Sequence, residues 1–159
     1  MLKESLYACN NEGSRTIVAR LVAHVDLLTA IVTLCKKYNF KAAAITVCFG
    51  SLASAGYEVI AKDENDPLGA RLGAPLHMDG PLQLLSAQGT VSYEEKSGEL
   101  VAHLHGAFID KDAVVHGGHF LVEKCPVLRT MEIVIQEIVG IAITRRYNPV
   151  TNSIQLTIE

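Results

Sequence analysis

Long apolar runs are missing from this sequence. Hydrophobic residues make up 49% of the 159 positions, yet no stretch approaches the roughly 20 uninterrupted apolar residues of a membrane span. The N-terminus, Met1-Leu2-Lys3-Glu4-Ser5, has no basic-then-apolar leader pattern, so a cytoplasmic protein with no membrane partner is expected. The cysteines Cys9, Cys35, Cys48 and Cys125 never fall in a Cys-x-x-Cys spacing. That argues against a zinc knuckle and a thioredoxin-like motif and leaves reduced structural thiols.

A dominant charge is missing too. The formal net charge is −3 and the basic residues are scattered, paired only at Lys36-Lys37 and Arg145-Arg146. Nucleic-acid binders usually carry a basic stripe, because phosphate neutralisation dominates their affinity. Charge therefore lends DNA binding no support, although one basic face would still be compatible with it. There is no Gly-x-Ser-x-Gly elbow and no phosphate-binding Gly-rich loop. With no internal repeat or low-complexity tract, residues 1–159 read as a single domain, a size at which a chain buries roughly 68–70% of its unfolded surface.

One helix stands out among the elements present. Asp26 is a suitable N-cap, and Leu28, Ile31, Val32 and Cys35 follow at i, i+3, i+4 and i+7. Lys36 and Lys37 suit the C-terminal end of the helix dipole, and Asn39 can terminate it. A strand is expected over 14–22. Another is expected over 42–49, closed by Gly50, and a further one runs through Tyr57–Ile60. Residues 62–81, with Pro67, Pro75 and Pro81, read as a long surface excursion in which His77 is solvated.

From residue 82 the pattern is β: 82–86, 89–94, 100–109, 114–122, one or two strands over 130–143, and 153–158. One helix with eight or more strands predicts an α+β domain built on a curved, largely antiparallel β-sheet. The exposed edges of such a sheet favour an oligomer.

Candidate chemistry lies in the histidines. His103 and His105 flank Leu104; in a strand, residues i and i+2 share a face with Cα atoms roughly 6.6 Å apart. After a turn at Asp110-Lys111-Asp112, His119 can arrive beside them on the next strand. Gly117 and Gly118 allow the backbone there to bend or to approach a ligand. Three neutral imidazoles match a three-ligand divalent site with an open position.

Alternating histidines on a strand are also common as polar positions on a wet face; the Gly-Gly-His element on the returning strand tips the balance toward a site. The i, i+3 spacing puts His116 at the edge of this group, either exposed or supporting it. His24 reads as a loop or capping residue. Asp110, Asp112 and Glu123 read as turn or solvated carboxylates. Glu132 sits inside an apolar strand and needs a partner such as a histidine, Arg20 or Arg145.

The run His103-Leu104-His105-Gly106 followed by Val115-His116-Gly117-Gly118-His119-Phe120-Leu121 resembles the signature of the PPC (plants and prokaryotes conserved) domain, also known as the PD1-like DNA-binding motif. The resemblance covers most of the chain. Arg20-Leu21 with Asp26-Leu27 resembles its opening strand and helix. Gln83-Leu84-Leu85-Ser86-Ala87-Gln88-Gly89 resembles its Glu-Ile-Leu-Ser-Leu-x-Gly segment, and Thr130-Met131-Glu132 and Arg145 resemble its later motifs.

The resemblance implies a homotrimer with a fold similar to acetolactate decarboxylase, a metal enzyme that binds zinc through histidines. It also implies a divalent metal, zinc, on His103, His105 and His119. Plant members carry an AT-hook with an Arg-Gly-Arg-Pro core, which this chain lacks. Three departures stand out. Gln83 stands where the family usually has Glu, His24 where it usually has Gly, and His116 where an apolar residue is commoner. An amide cannot act as a general base, so Gln83 weakens a hydrolase role that needs that carboxylate.

Three functions follow as expectations. One is a DNA-associated or regulatory homotrimer with a histidine metal site. Another is a zinc-dependent enzyme acting on a small keto or carboxylate substrate, in which zinc polarises a carbonyl or activates water. The third is a metal or small-ligand binding module without turnover. Imidazole also accepts iron and nickel.

Overall fold

The structure is a computed structural model that describes the backbone of residues 5–11 and all of residues 13–158. It contains one helix, α1 (Leu27–Lys37), and eleven strands among the described residues. These are β1 (Ser5–Asn11), β2 (Ser14–Val22), β3 (Ala43–Glu58), β4 (Ile60–Lys62), β5 (Ala70–Leu72) and β6 (Leu76–Glu94), then β7 (Leu100–Ile109), β8 (Val115–Phe120), β9 (Val127–Glu137), β10 (Ile143–Asn148) and β11 (Ser153–Ile158). Nine strands form one sheet in the order β1-β2-β9-β3-β8-β7-β6-β10-β11, and β3 pairs with β6 as well. Strands β3, β8, β7 and β6 therefore close a circuit, which curves the sheet. All its pairings are antiparallel except β10 with β6, so the α+β expectation holds with one parallel pairing.

Helix α1 forms as its pattern predicts. The Asp26 carboxylate accepts the Thr29 backbone N–H at 3.0 Å, capping the first turn. The buried face is Leu27, Leu28, Ala30, Ile31, Leu34 and Cys35. Asn39 ends the helix in the left-handed region (φ +56°), and Phe40 N–H closes back on the Cys35 carbonyl at 2.8 Å. Arg15 fastens this end to the sheet. It donates to the Tyr38 carbonyl at 2.9 Å and, from Nε, to Glu137 at 2.7 Å.

The buried face of the helix shares one core with Ile17, Leu21, Leu84, Leu104, Phe108, Phe120, Met131 and Ile133, all essentially inaccessible. Burying side chains of this size supplies roughly 1.5–3 kcal/mol each before entropic costs. Cys35, Cys48 and Cys125 are free and buried, and burial pushes each thiol up to about 12; they are inert core residues. The side chain of Cys9 lies outside the described residues.

Several boundaries differ from the expectation. Residues 43–58 make one strand, with Gly50 inside it at a register shift between Gly50 and Leu52. Residues 76–94 likewise make one strand, bent at the Leu84–Ser86 shift, where two shorter strands were expected. In both, the long partner strand keeps the ladder going past a local irregularity. The 62–81 excursion contains the β4–β5 hairpin and the start of β6. The 130–143 segment divides into β9 and β10, with 138–142 between them.

Candidate metal centre

Strand β7 carries the first two histidines. Leu104 faces the core with no exposure, so His103 and His105 point to the opposite, outer face. β8 runs antiparallel beside β7 with His119 directly opposite His105. Paired residues share a face, and the third imidazole joins the first two.

The ring centroids are 4.8 Å apart for His103–His105, 4.6 Å for His103–His119 and 5.1 Å for His105–His119. The two Nε2 atoms of β7 lie 3.0 Å apart. One nitrogen from each of the three residues falls within 4.8 Å of the other two. Tetrahedral zinc with Zn–N bonds of about 2.0–2.1 Å would space its nitrogens about 3.3–3.4 Å apart, so small side-chain rotations would let one ion meet all three. His119 Nδ1 is buried with no hydrogen-bond partner. An orphaned nitrogen of that kind costs roughly 1–3 kcal/mol, which an ion or a group bound to it would recover. The donor set therefore fits a divalent metal.

Burial and neighbouring charge disfavour the protonated forms of His103 and His119. Burial pushes His103 down to about 4, helped by the charge of Arg145 and by the neighbouring histidines. His119 is lowered mainly by burial and by His105, against a raising effect of Glu58. A neutral imidazole offers its lone pair, as a metal ligand must.

Gly117 and Gly118 are not a turn. They lie in the middle of β8. The chain reverses earlier, where Asp110 Oδ1 accepts the backbone N–H groups of Asp112 and Val114, each at 2.9 Å. The glycines are required by crowding: a Cβ on Gly117 would collide with the Gly106 carbonyl oxygen, and one on Gly118 with the Glu58 carbonyl oxygen. β8 is thus pressed between β7 and the end of β3, which holds His119 in place.

Other sequence candidates fall elsewhere. His116 stands opposite Phe108 on the core-facing side; its ring stacks on Phe108 at 5.7 Å and its Nε2 meets Asp110 at 2.9 Å. His24 is exposed with φ +70°, a conformation that suits the family's usual glycine; its N–H bonds the Val127 carbonyl at 2.8 Å. His77 is exposed on β6, 3.2 Å from Asp79.

Glu132 is exposed, because its strand buries only one face, and it stands opposite Arg20 on β2. Asp112 pairs with Lys111, and Glu123 is exposed in a loop. Gln83 lies five residues along β6 from Gln88, the partner of His105. That separation is roughly 16 Å, so within one chain the amide does not reach the cluster.

Two side chains near the histidines went unrecognised as site residues. Glu58, the last residue of β3, stands opposite His119. Arg145 is 7% exposed and donates from Nη2 to Thr90 Oγ1 at 2.8 Å; Thr90 stands opposite His103. Neither is near the histidines in sequence. The one available signal was alternation on β10, which puts Arg145 on the same side of its strand as Ile143 and Tyr147. Beside His105, a shallow open depression of about 340 Å³ is lined by Ser86, Gln88, Gly106, Ala107 and Gly118.

Fold and site together define an α+β domain with a three-histidine cluster on the outer face of a curved sheet. Residues 10–139 match the model of the Plants and Prokaryotes Conserved (PCC) domain, and the chain belongs to that family. The fold is shared with several solved structures. A metal-containing protein from Archaeoglobus fulgidus is 22% identical with a TM-score of 0.75, 99% of each chain being covered. A plant- and prokaryote-conserved protein from Pyrococcus horikoshii is 24% identical with a TM-score of 0.72, covering 100% of this chain and 99% of its own. A candidate DNA-binding protein from Bacteroides thetaiotaomicron is 16% identical with a TM-score of 0.75, over 96% of each chain. No curated protein matches the chain. No helix among the described residues is long and apolar enough to cross a membrane.

Proposed function

We propose that this chain is a metal-holding PCC-domain protein in which His103, His105 and His119 bind one divalent ion, zinc by preference. The observation that carries the reading is the convergence of the three imidazoles from two strands, with His119 Nδ1 buried and unpartnered. The Archaeoglobus neighbour, called metal-containing, agrees with it. We read residues 1–159 as one such domain, cytoplasmic and assembled as a homotrimer, in a regulatory, DNA-associated role. The DNA part leans on neighbours described as candidate DNA-binding proteins.

Metal analysis of the purified protein tests the reading. Wild type should hold close to one ion per chain after equilibrium dialysis against zinc, and the triple substitution of the three histidines by alanine should hold almost none. Equal, sub-stoichiometric metal in both would overturn it. A binding titration with duplex DNA across salt concentrations tests the DNA role; no affinity at low salt removes it.

A second reading is a zinc-dependent enzyme acting on a small keto or carboxylate substrate. It is favoured by the buried cation Arg145 beside the cluster. In that reading bound zinc supplies Lewis acidity, while the protein's own residues bind and orient the substrate.

A further inference from the structure

We propose that Arg145, anchored by Thr90, holds the carboxylate of a small monoanion beside the histidine cluster. The inference rests on the metal-holding reading and names the residues that recognise the ligand completing that site.

The first support is an incomplete guanidinium. Arg145 is 7% exposed, yet of its five N–H donors one is used in a side-chain hydrogen bond among the described residues, to Thr90 Oγ1. Its Nε is buried with no partner. A desolvated cation with unmatched donors calls for an acceptor.

The second support is placement. Thr90 stands opposite His103 on the outer face of the β6–β7 pair. The guanidinium that bonds Thr90 therefore lies about one side chain from the imidazoles.

The third support is the charge balance. A divalent ion and Arg145 together bring three positive charges. Among the described residues, strand pairing sets two carboxylates beside them: Glu58, opposite His119, and Glu94, opposite Arg145, both half-buried. One further negative charge would neutralise the site. A planar guanidinium fork matches a carboxylate, and a three-histidine ion keeps a position open for a neighbouring oxygen.

Cobalt-substituted full-length protein tests the proposal through its visible spectrum. The probe is pyruvate; 2,3-butanedione is the uncharged comparison and inorganic phosphate the alternative anion. Pyruvate should perturb the wild-type spectrum saturably, and butanedione should not. Arg145→Gln should bind pyruvate at least ten-fold more weakly and Thr90→Val several-fold more weakly, each at wild-type cobalt content. If Arg145→Gln misfolds or loses cobalt, Thr90→Val decides the matter. Unchanged pyruvate affinity in the variants, or equal binding of butanedione, would overturn the proposal. Tighter, Arg145-dependent phosphate binding would overturn the choice of a carboxylate. Stoichiometric cobalt with no response to pyruvate defeats this inference alone, whereas no cobalt uptake by wild type defeats the metal reading and this inference together.

Discussion

Gly118 on β8 packs so closely against Glu58 on β3 that a Cβ on the glycine would collide with the Glu58 carbonyl oxygen. The same pair of strands sets the Glu58 side chain opposite His119. Backbone contact and site geometry are therefore one feature. Gly118→Ala and Gly117→Ala should each force β8 away from its neighbours and cost about 1–3 kcal/mol, as overpacking does. Both should also lower metal affinity, because His119 moves with β8. Thermal unfolding together with metal content checks this; unchanged values for both variants would refute it.

His116 lies on the other face of the strand that carries His119, stacked on Phe108 and bonded to Asp110. His116→Ala should leave metal content at the wild-type level while lowering the melting temperature. Loss of metal in this variant would place His116 in the site after all.

The Asp110 carboxyl is held below its usual range, first by its hydrogen bond with His116 and then by the Val114 N–H. Glu137 is likewise held down by Arg15. A depressed folded-state value means stability that is fully present above the unfolded carboxyl range, about 3.9–4.3, and lost as pH falls through the lower folded value. Wild type should therefore exceed Asp110→Asn in stability at pH 7, and the gap should shrink below about pH 4. Urea unfolding at pH 7 and pH 3 measures it; a gap that widens at low pH would contradict the assignment.

Asp26 does two jobs. One carboxylate oxygen caps α1 at Thr29, and the other accepts the Cys125 backbone N–H at 2.9 Å. Asp26→Ala should cost about 1–2 kcal/mol, the upper part of the N-cap range. Denaturant unfolding checks the size of the loss.

Val18, Val47 and Phe49 expose 40%, 38% and 44% of their surface on strands β2 and β3, which flank β9, an apolar face that suits contact between copies. Sedimentation of wild type should give a trimer, and Phe49→Glu should shift it toward monomer. A wild-type monomer at micromolar concentration would remove the assembly.

The helix and its ends were legible because a helix is a local object. Asp26, the i, i+3, i+4, i+7 face and Asn39 lie within about four turns of one another. His103 and His105 were legible as a pair for the same reason, since two-residue alternation fixes their common face. His119 was reached by following one turn. Beyond that range the signal faded. Gly117-Gly118 looked like a bend, because nothing local reveals that Glu58 and Gly106 press on them. Glu132 looked buried, because the outward face of β9 is identified only by its neighbours.

By itself the sequence determined the periodicities: one amphipathic helix, a β-rich remainder, and two imidazoles on one side of a strand. Only the tertiary structure decided what stands next to those imidazoles. Glu58, Thr90 and Arg145 come from three further strands, and their meeting with the histidines depends on strand register. Register is set by the summed burial of many distant side chains, so no short window of residues encodes it.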